Sequence, residues 1–163
     1  MARAMPARQG DVWIDLGGGT GSNLEFFGSG INEFGRVIVL DLCPSLAAVA
    51  EKRIKERGWK NASVLVADAT DETAEGLPAA GSVDLVSFSY SLTMIPDWEK
   101  ALKNAFRLLK PGGHICVCDF TVLDVQSSVC GWFWKTVFSY DHVHLNPDHI
   151  VVLRVSKQRH GSV

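Results

Sequence analysis

The sequence predicts an α/β fold: an open, mainly parallel twisted sheet with helices on both faces. Between residues 11 and 120, short runs rich in Val, Ile and Leu alternate with segments of helical periodicity. This is the pattern of repeated strand-helix-strand units. With 163 residues, 47% of them hydrophobic and 21% charged, the chain fits one ordered domain with a sizeable core. We therefore expect a single domain over residues 1–163.

Five apolar runs are predicted to form the strands of this sheet: Val12 to Leu16, Arg36 to Leu40, Ser63 to Ala67, Asp84 to Ser89 and His114 to Phe120. One clear helix spans Pro44 to Arg57, because proline is tolerated at a first helical position and Gly58 suits a C-terminal cap. Another spans Asp97 to Leu109, where apolar residues recur every three or four positions until Pro111-Gly112-Gly113 ends it. After residue 120, only Ile150 to Arg154 is predicted to be a further strand.

The bulk composition excludes several function classes. A formal net charge of -2 offers no broad positive field, so we expect no nucleic acid partner. The four cysteines have neither metal-site spacing nor a disulfide framework, which predicts reduced thiols, no metal site and a reducing compartment. No apolar run is long enough to be a secretory signal or to span a bilayer, so any membrane contact is expected to be peripheral.

A glycine-rich loop, Asp15-Leu16-Gly17-Gly18-Gly19-Thr20-Gly21, follows the first predicted strand. Glycines let a backbone approach a ligand closely, and a helix after such a loop presents its positive end. Dinucleotide loops usually need a glycine where this chain has Ser22, and the Asp15 carboxylate would repel a pyrophosphate. The loop therefore favours S-adenosylmethionine, which carries an ammonium and a sulfonium group. The alternative is a tight strand-to-helix turn with no ligand.

Acidic residues follow the next two predicted strands. Asp41 lies 20 residues after Gly21, where a carboxylate can accept hydrogen bonds from both ribose hydroxyls. Asp68 in Val66-Ala67-Asp68-Ala69 is placed to accept from an adenine amino group. The alternatives are a helix cap for Asp41 and a turn residue for Asp68. Because ligands of open α/β sheets bind outside the carboxyl ends of the strands, these acids are expected to share one site.

Two further strand ends complete the predicted rim of this site. Ser89-Tyr90-Ser91 lies at the end of the fourth strand, beside the expected methionine end of the cofactor, and Asp119 lies at the end of the fifth. A turn residue is the alternative for Asp119.

The ordered set of the glycine loop, Asp41, Asp68 and Leu108-Leu109-Lys110-Pro111-Gly112-Gly113 resembles the class I S-adenosylmethionine-dependent methyltransferases over residues 11 to 120. The resemblance implies a Rossmann-like fold. The residues expected to bind the cofactor are Asp15, Gly17, Gly19, Thr20, Gly21, Asp41, Asp68, Ala69 and Ser89. Such enzymes generally end in an antiparallel hairpin of a sixth and a seventh strand, and too few residues follow Arg154 to form the seventh. We therefore expect an incomplete hairpin and a truncated or split domain.

A narrower resemblance, to the methyltransferase region of betaine-lipid synthases, is carried by Asp41 to Leu46, Ser89 to Pro96, Asp119-Phe120 and the aromatic Trp132-Phe133-Trp134 segment leading to Asp141 to Leu145. It implies N-methylation of the headgroup amine of diacylglyceryl-homoserine. It also implies an aminocarboxypropyltransferase on a partner chain or domain. The expected location is the cytoplasm, peripherally on an internal membrane such as the endoplasmic reticulum.

Methyl transfer from a sulfonium is an in-line displacement, so the protein must align the acceptor and exclude water. A protonated amine must first lose a proton, and Tyr90, Asp119, His142 and His144 are the candidate acceptors or positioners. Tyr90, Trp132 and Trp134 are candidates to hold the methylated cation by cation-π contact; core packing is the alternative for the tryptophans. The competing functions are a methyltransferase for small molecules or proteins, a non-catalytic cofactor-binding subunit or fragment, and a nicotinamide oxidoreductase.

Overall fold

The structure, a computed structural model, describes residues 5–119, which form a five-stranded parallel sheet in the order β3-β2-β1-β4-β5. The strands are β1 (Val12–Leu16), β2 (Arg36–Asp41), β3 (Ala62–Val66), β4 (Val83–Ser89) and β5 (Leu109–Cys118). The helices are α1 (Ser22–Glu25), α2 (Pro44–Arg57) and α3 (Trp98–Leu108), and two 3₁₀ segments cover Gly28–Glu33 and Leu92–Met94. The predicted fold class is confirmed for these residues.

Two apolar clusters cover the two faces of the sheet, because side chains alternate along each strand. On one face, Ile14 and Leu16 pack in a cluster that includes Ala101 and Leu102 of α3. On the other face, Trp13 belongs to a cluster that includes Ala50 of α2. Helices therefore pack on both sides, as the sequence predicts, and the sheet itself is the centre of the core.

The element boundaries follow the sequence closely except around α3 and β5. Strand β1 and helix α2 have the predicted bounds, and Gly58 caps α2 with a left-handed φ of 68°. Helix α3 ends at Leu108, one residue before the predicted end, but Pro111-Gly112-Gly113 lie inside β5 and not in a separate turn that stops the helix. The sheet accommodates them through a register shift between the pairs Val83–Leu109 and Leu85–His114. An irregularity of this kind is hard to foresee from a turn-forming tripeptide.

Strand order reverses at the β1–β4 boundary, since β1 pairs with β2 on one side and with β4 on the other. Connections from β1 and β4 leave in opposite directions at this point, which opens a crevice at the carboxyl ends of the strands. The glycine loop (residues 17–21) and the segment after β4 are thus brought together by topology. The predicted strand Ile150 to Arg154 and the aromatic segment Trp132-Phe133-Trp134 lie outside the described residues.

Asn104 on α3 fastens the loop after β3 to the core. This side chain is 2% exposed, and its Nδ2 donates to the carbonyl oxygen of Ala69 at 2.9 Å. Its Oδ1 accepts from Arg107 Nη2 at 2.9 Å. Because buried carbonyl groups need partners, this amide fixes the backbone beside Asp68.

Asn104→Ala is expected to lower the free energy of unfolding by about 1–3 kcal/mol, because the Ala69 carbonyl then loses its donor in a buried setting. Urea unfolding measures the change. The matched control is Lys103→Ala on the exposed side of α3, for which we expect about 0.5 kcal/mol or less. Equal losses in the two variants would contradict the role given to Asn104.

Candidate active site

The glycine loop folds back on the end of β1 in a conformation that favours glycine. Gly17 and Gly19 have φ values of 68° and 55°, in the left-handed region that L side chains rarely adopt. A Cβ on Gly17 would lie 2.5 Å from Ser91 Cβ, whereas a Cβ on Gly19 would meet only Asp41 Oδ2, at 4.0 Å. Gly17 is therefore packed against protein, and Gly19 borders open space.

The amides of this loop are used to hold the loop itself. Leu40 O accepts from Gly17 N at 2.8 Å and from Gly18 N at 3.0 Å. Asp41 Oδ2 accepts from Gly19 N at 2.8 Å. Helix α1 after the loop is a single turn of four residues, so its dipole is small. With the bond from Gly21 N to Gly18 O, four of the five amides of residues 17–21 are bonded within the protein. The loop and its short helix thus differ from the amide-rich loop and long helix with which dinucleotide sites bind a pyrophosphate.

Asp15, expected from sequence to face the cofactor, is instead fully buried beneath the loop at 0% exposure. Ser87 Oγ donates to its Oδ1 at 2.5 Å, and Asn23 Nδ2 donates to its Oδ2 at 2.8 Å. Trp13 Nε1 donates to Ser87 Oγ at 2.7 Å, so the serine hydroxyl is oriented toward the carboxylate. Asp15 thus joins β1, β4 and α1. Asp15 is not among the residues that line the cavity at the carboxyl ends of the strands. Its side chain lies beneath the glycine loop and supports the loop through neighbouring elements.

Burial raises the pKa of Asp15 from 3.8 to about 6, against the lowering effect of the hydrogen bonds from Ser87 and Asn23; the nearby Asp41 charge raises it further. Because the folded pKa is above the unfolded value, the folded state binds more protons between pH 4 and 6. The contribution of Asp15 to stability is therefore greatest below pH 4 and falls as pH rises through 6. A shift of this size corresponds to roughly 3 kcal/mol.

Asp15→Asn removes this titration while keeping the side-chain shape. Relative to the variant, the wild-type protein should lose roughly 3 kcal/mol of unfolding free energy between pH 3 and 7. Urea unfolding at four pH values across this range measures the difference. Glu72→Gln, at an exposed carboxylate, is the control. Parallel pH profiles for wild type and Asp15→Asn would refute the assignment.

The two other strand-end acids border open space. Asp41 is 9% exposed; beyond its bond to the loop, its Oδ1 accepts from Cys43 N at 2.8 Å. Asp68 is exposed, and its Oδ1 accepts from the amide and hydroxyl of Thr70, both at 2.8 Å. Both carboxylates retain lone pairs for a ligand hydroxyl or amino group. The alternative turn role of Asp68 is thus present together with access to the site, whereas Asp41 does not cap α2, whose N-cap residue is Cys43 and has no side-chain cap.

A cavity of about 540 Å³ lies at the strand ends between these acids and the segment after β4. Predicted residues that line it are Gly17, Gly19, Asp41, Asp68, Ala69 and Tyr90. Ser91, predicted on the rim of the site, also lines it. Sequence reasoning did not single out the other lining residues as site residues: Leu40, Leu42, Leu46, Thr70, Met94, Ile95, Pro96 and Asp97. Exposed apolar side chains at a strand end, such as Leu42 at 66% exposure, are the signal that could have found part of this wall.

Tyr90 lies on this wall in a strained conformation. It is 56% exposed and has a φ of 54°, the only non-glycine positive φ among the described residues. Such a conformation costs about 1–3 kcal/mol and is common at functional sites. The Cys118 side chain, hydrogen-bonded to the phenol, raises the pKa of Tyr90 above its usual value of 10. The phenol therefore stays protonated near neutral pH, which suits a hydrogen-bond donor rather than the expected proton acceptor.

Four predicted site residues lie beside the cavity rather than on it. Thr20 and Gly21 continue the loop, where Arg53 Nη1 donates to Thr20 O at 2.9 Å, and Ser89 ends β4. The Asp119 carboxylate accepts from the amide and hydroxyl of Thr93. His142 and His144 lie outside the described residues, so their roles stay predictions.

Other expectations concern metals, thiols and membranes. Within residues 5–119, no group of three or more His, Cys, Asp or Glu side chains could hold a metal ion. Cys43, Cys116 and Cys118 are free thiols; Cys130 is outside the described range. None of the helices in the described part of the chain is long and apolar enough to cross a membrane.

Comparison with known proteins shows to which family the chain belongs. The model of the ubiE/COQ5 methyltransferase family matches residues 1–139. The chain belongs to this family. Ubiquinone/menaquinone biosynthesis C-methyltransferase UbiE of Klebsiella pneumoniae is 33% identical over 115 residues, which are 70% of this chain and 44% of that protein. UbiE of Vibrio vulnificus is 35% identical over 126 residues, 76% of this chain and 47% of that protein. The chain thus spans about half the length of these relatives.

Solved structures agree on the fold. The YcgJ protein of Bacillus subtilis superposes with a TM-score of 0.79 at 18% identity, covering 96% of this chain and 64% of that one. Phosphoethanolamine N-methyltransferase 2 of Haemonchus contortus, solved with S-adenosyl-L-methionine, gives a TM-score of 0.71 at 27% identity, covering 91% of this chain and 33% of that one. The class I, S-adenosylmethionine-dependent methyltransferase assignment is confirmed. The narrower resemblance to betaine-lipid synthases is not supported, since the matched curated relatives are C-methyltransferases.

Proposed function

We propose that this chain is the cofactor-binding domain of an S-adenosylmethionine-dependent methyltransferase that methylates a ring carbon of an apolar, quinol-type acceptor. The observation that carries the proposal is that Gly19, Asp41 and Asp68 line the same cavity as Tyr90 and Met94. One side of it suits a nucleoside, and the other suits an apolar acceptor. The family relationship supports the reaction, and the names of the matched relatives suggest the acceptor.

The residues on the nucleoside side fit S-adenosylmethionine. Gly19 leaves the space that a side chain would fill. Asp41 is placed to accept from ribose hydroxyls, and Asp68 is placed to accept from the adenine amino group. Leu42, exposed at the end of β2, and buried Ala69 supply apolar surface for the adenine ring. The proposed ligand is cationic, which matches the acidic character of the wall.

The cofactor supplies an activated methyl group on a sulfonium. The chain's own task is to align an acceptor and exclude water, because in-line displacement depends on geometry. Tyr90 keeps its proton, and its phenol would donate to an acceptor oxygen by exchanging its hydrogen bond with Cys118. Deprotonation of a quinol ring is then the task of a base that the described residues do not identify.

Gly19→Ala is expected to abolish cofactor binding while costing only about 1–2 kcal/mol in stability, because its methyl group enters the cavity with a left-handed φ. Gly28→Ala is the matched control: Gly28 also has a left-handed φ, of 54°, with no atom within 4 Å of a built Cβ, and it is not among the cavity-lining residues. Calorimetry with S-adenosylhomocysteine and thermal unfolding measure both effects. If Gly19→Ala bound the ligand as the wild type does, the nucleoside site would be misplaced.

The acceptor class is tested with methyl-labelled S-adenosylmethionine and vesicles that contain reduced ring precursors of ubiquinone or menaquinone. We expect label in the quinol fraction and none with Gly19→Ala. Because the chain covers about half of its relatives, the assay includes the full-length protein where a longer one exists. Absence of transfer to a quinol, despite measured cofactor binding, would overturn this acceptor but leave the cofactor site intact.

Headgroup N-methylation of diacylglyceryl-homoserine is the second candidate. It is favoured by the structural likeness to the Haemonchus contortus N-methyltransferase at 27% identity, and by the strand-end acids, which suit an amine. Parallel vesicles of diacylglyceryl-homoserine distinguish the two, since label would enter that lipid instead. An aminocarboxypropyltransferase partner and a peripheral site on an internal membrane such as the endoplasmic reticulum belong to this candidate alone.

A further inference from the structure

The segment after β4, called here the acceptor turn (residues 90–95), is fastened to the rest of the site at its start and in its middle. Its first residue, Tyr90, has the strained left-handed backbone and lines the cavity. A conformation of this kind persists only when its surroundings impose it. Tyr90 N donates to Cys118 O at 2.7 Å, which ties the start of the turn to β5.

The next residue joins the acceptor turn to the glycine loop. Ser91 is 5% exposed, and its Oγ donates to Leu16 O at 2.7 Å. Ser91 also occupies the space beside Gly17, where a Cβ would come within 2.5 Å of its own. The acceptor turn is therefore packed directly on the cofactor loop.

The middle of the turn is held by Asp119 at the end of β5. Thr93, 1% exposed, donates from its amide to Asp119 Oδ2 at 3.0 Å and from its Oγ1 to Asp119 Oδ1 at 2.6 Å. Each carboxylate oxygen thus accepts one hydrogen bond from the same buried residue. The two bonds together fix both the position and the orientation of the carboxylate relative to the turn.

We propose that Asp119 is a positioning residue, whose two-point hydrogen bond to Thr93 holds the acceptor turn and thereby fixes Tyr90 against the cavity. Hydrogen bonds to the oxygens of a carboxylate such as Asp119 are stronger than those to a neutral acceptor. That Tyr90 contacts a methyl acceptor rests on the proposed function. The hydrogen bonds by which Asp119 holds the acceptor turn do not depend on that function.

The test uses the full chain labelled with 3-fluorotyrosine. The sequence has two tyrosines, so the ¹⁹F spectrum has two signals, and Tyr90→Phe identifies the one from Tyr90. We expect Thr93→Val and Asp119→Asn to shift or broaden the Tyr90 signal, because each removes at least one of the two bonds. Thr93→Ser restores the hydroxyl and should restore the wild-type position. An unchanged Tyr90 signal in Thr93→Val, with wild-type thermal unfolding, would overturn the proposal even if Asp119→Asn failed to fold.

Kinetics separate positioning from proton transfer. With an active acceptor, Thr93→Val and Asp119→Asn should each lower kcat by about 10- to 100-fold, with an unchanged shape of the kcat–pH profile. Dissociation constants for S-adenosylhomocysteine should stay within a few-fold of wild type. If only Asp119→Asn lost activity and the pH profile changed, Asp119 would be a base and the proposal would fail. If no acceptor were methylated, the function would be in doubt, and the ¹⁹F result would still decide the positioning role.

Discussion

The geometry of the site depends on a buried carboxylate that joins three elements. Asp15 accepts from Ser87 on β4 and from Asn23 on α1, at the point where the strand order reverses. A buried ionised group is costly unless it is hydrogen-bonded, so the bonds to Ser87 and Asn23 restrict where β4 and α1 can lie. A Cβ on Gly18 would approach Asp15 Oδ2 to 2.8 Å. The carboxylate and the absent side chain together decide how closely the loop lies on the sheet.

A loop held in this way has few polar groups left for a ligand. Leu40 O and Asp41 Oδ2 already accept the amides of Gly17, Gly18 and Gly19. With these amides engaged, the acidic side chains that line the cavity, Asp41 and Asp68, favour a cationic ligand with hydroxyl and amino donors. Anionic ligands would meet carboxylates in place of amides. The distinction between nucleotide classes that the sequence drew from Asp15 and Ser22 thus has a different physical cause, namely the internal bonding of the loop.

The cofactor side could be predicted from sequence because its signals are local. Glycines with required backbone angles and acids at strand ends are each set by a few neighbouring residues, and parallel strands place them at one edge. Asp15 was predicted to bind the cofactor, but its side chain is buried. Strand alternation shows that neighbouring side chains lie on opposite faces of the sheet, but it does not show how the loop after the strand covers each face. The bonds from Thr93 to Asp119 join residues 26 positions apart. No local pattern specifies such a pair.

The residues that line the cavity around Tyr90 determine which acceptor the proposed site would favour. Leu42, Leu46, Met94 and Ile95 contribute apolar surface, and the cavity wall formed by described residues includes no Lys, Arg or His side chain. A phosphate-bearing acceptor would find carboxylates there and no compensating cation, at a large desolvation cost. A neutral ring fits this wall through apolar burial, and an amine fits it through the acids. Burial of apolar area is worth about 25 cal/mol per Å². A ring covers more of the exposed leucine and methionine side chains than an amino group does, so the wall favours the ring.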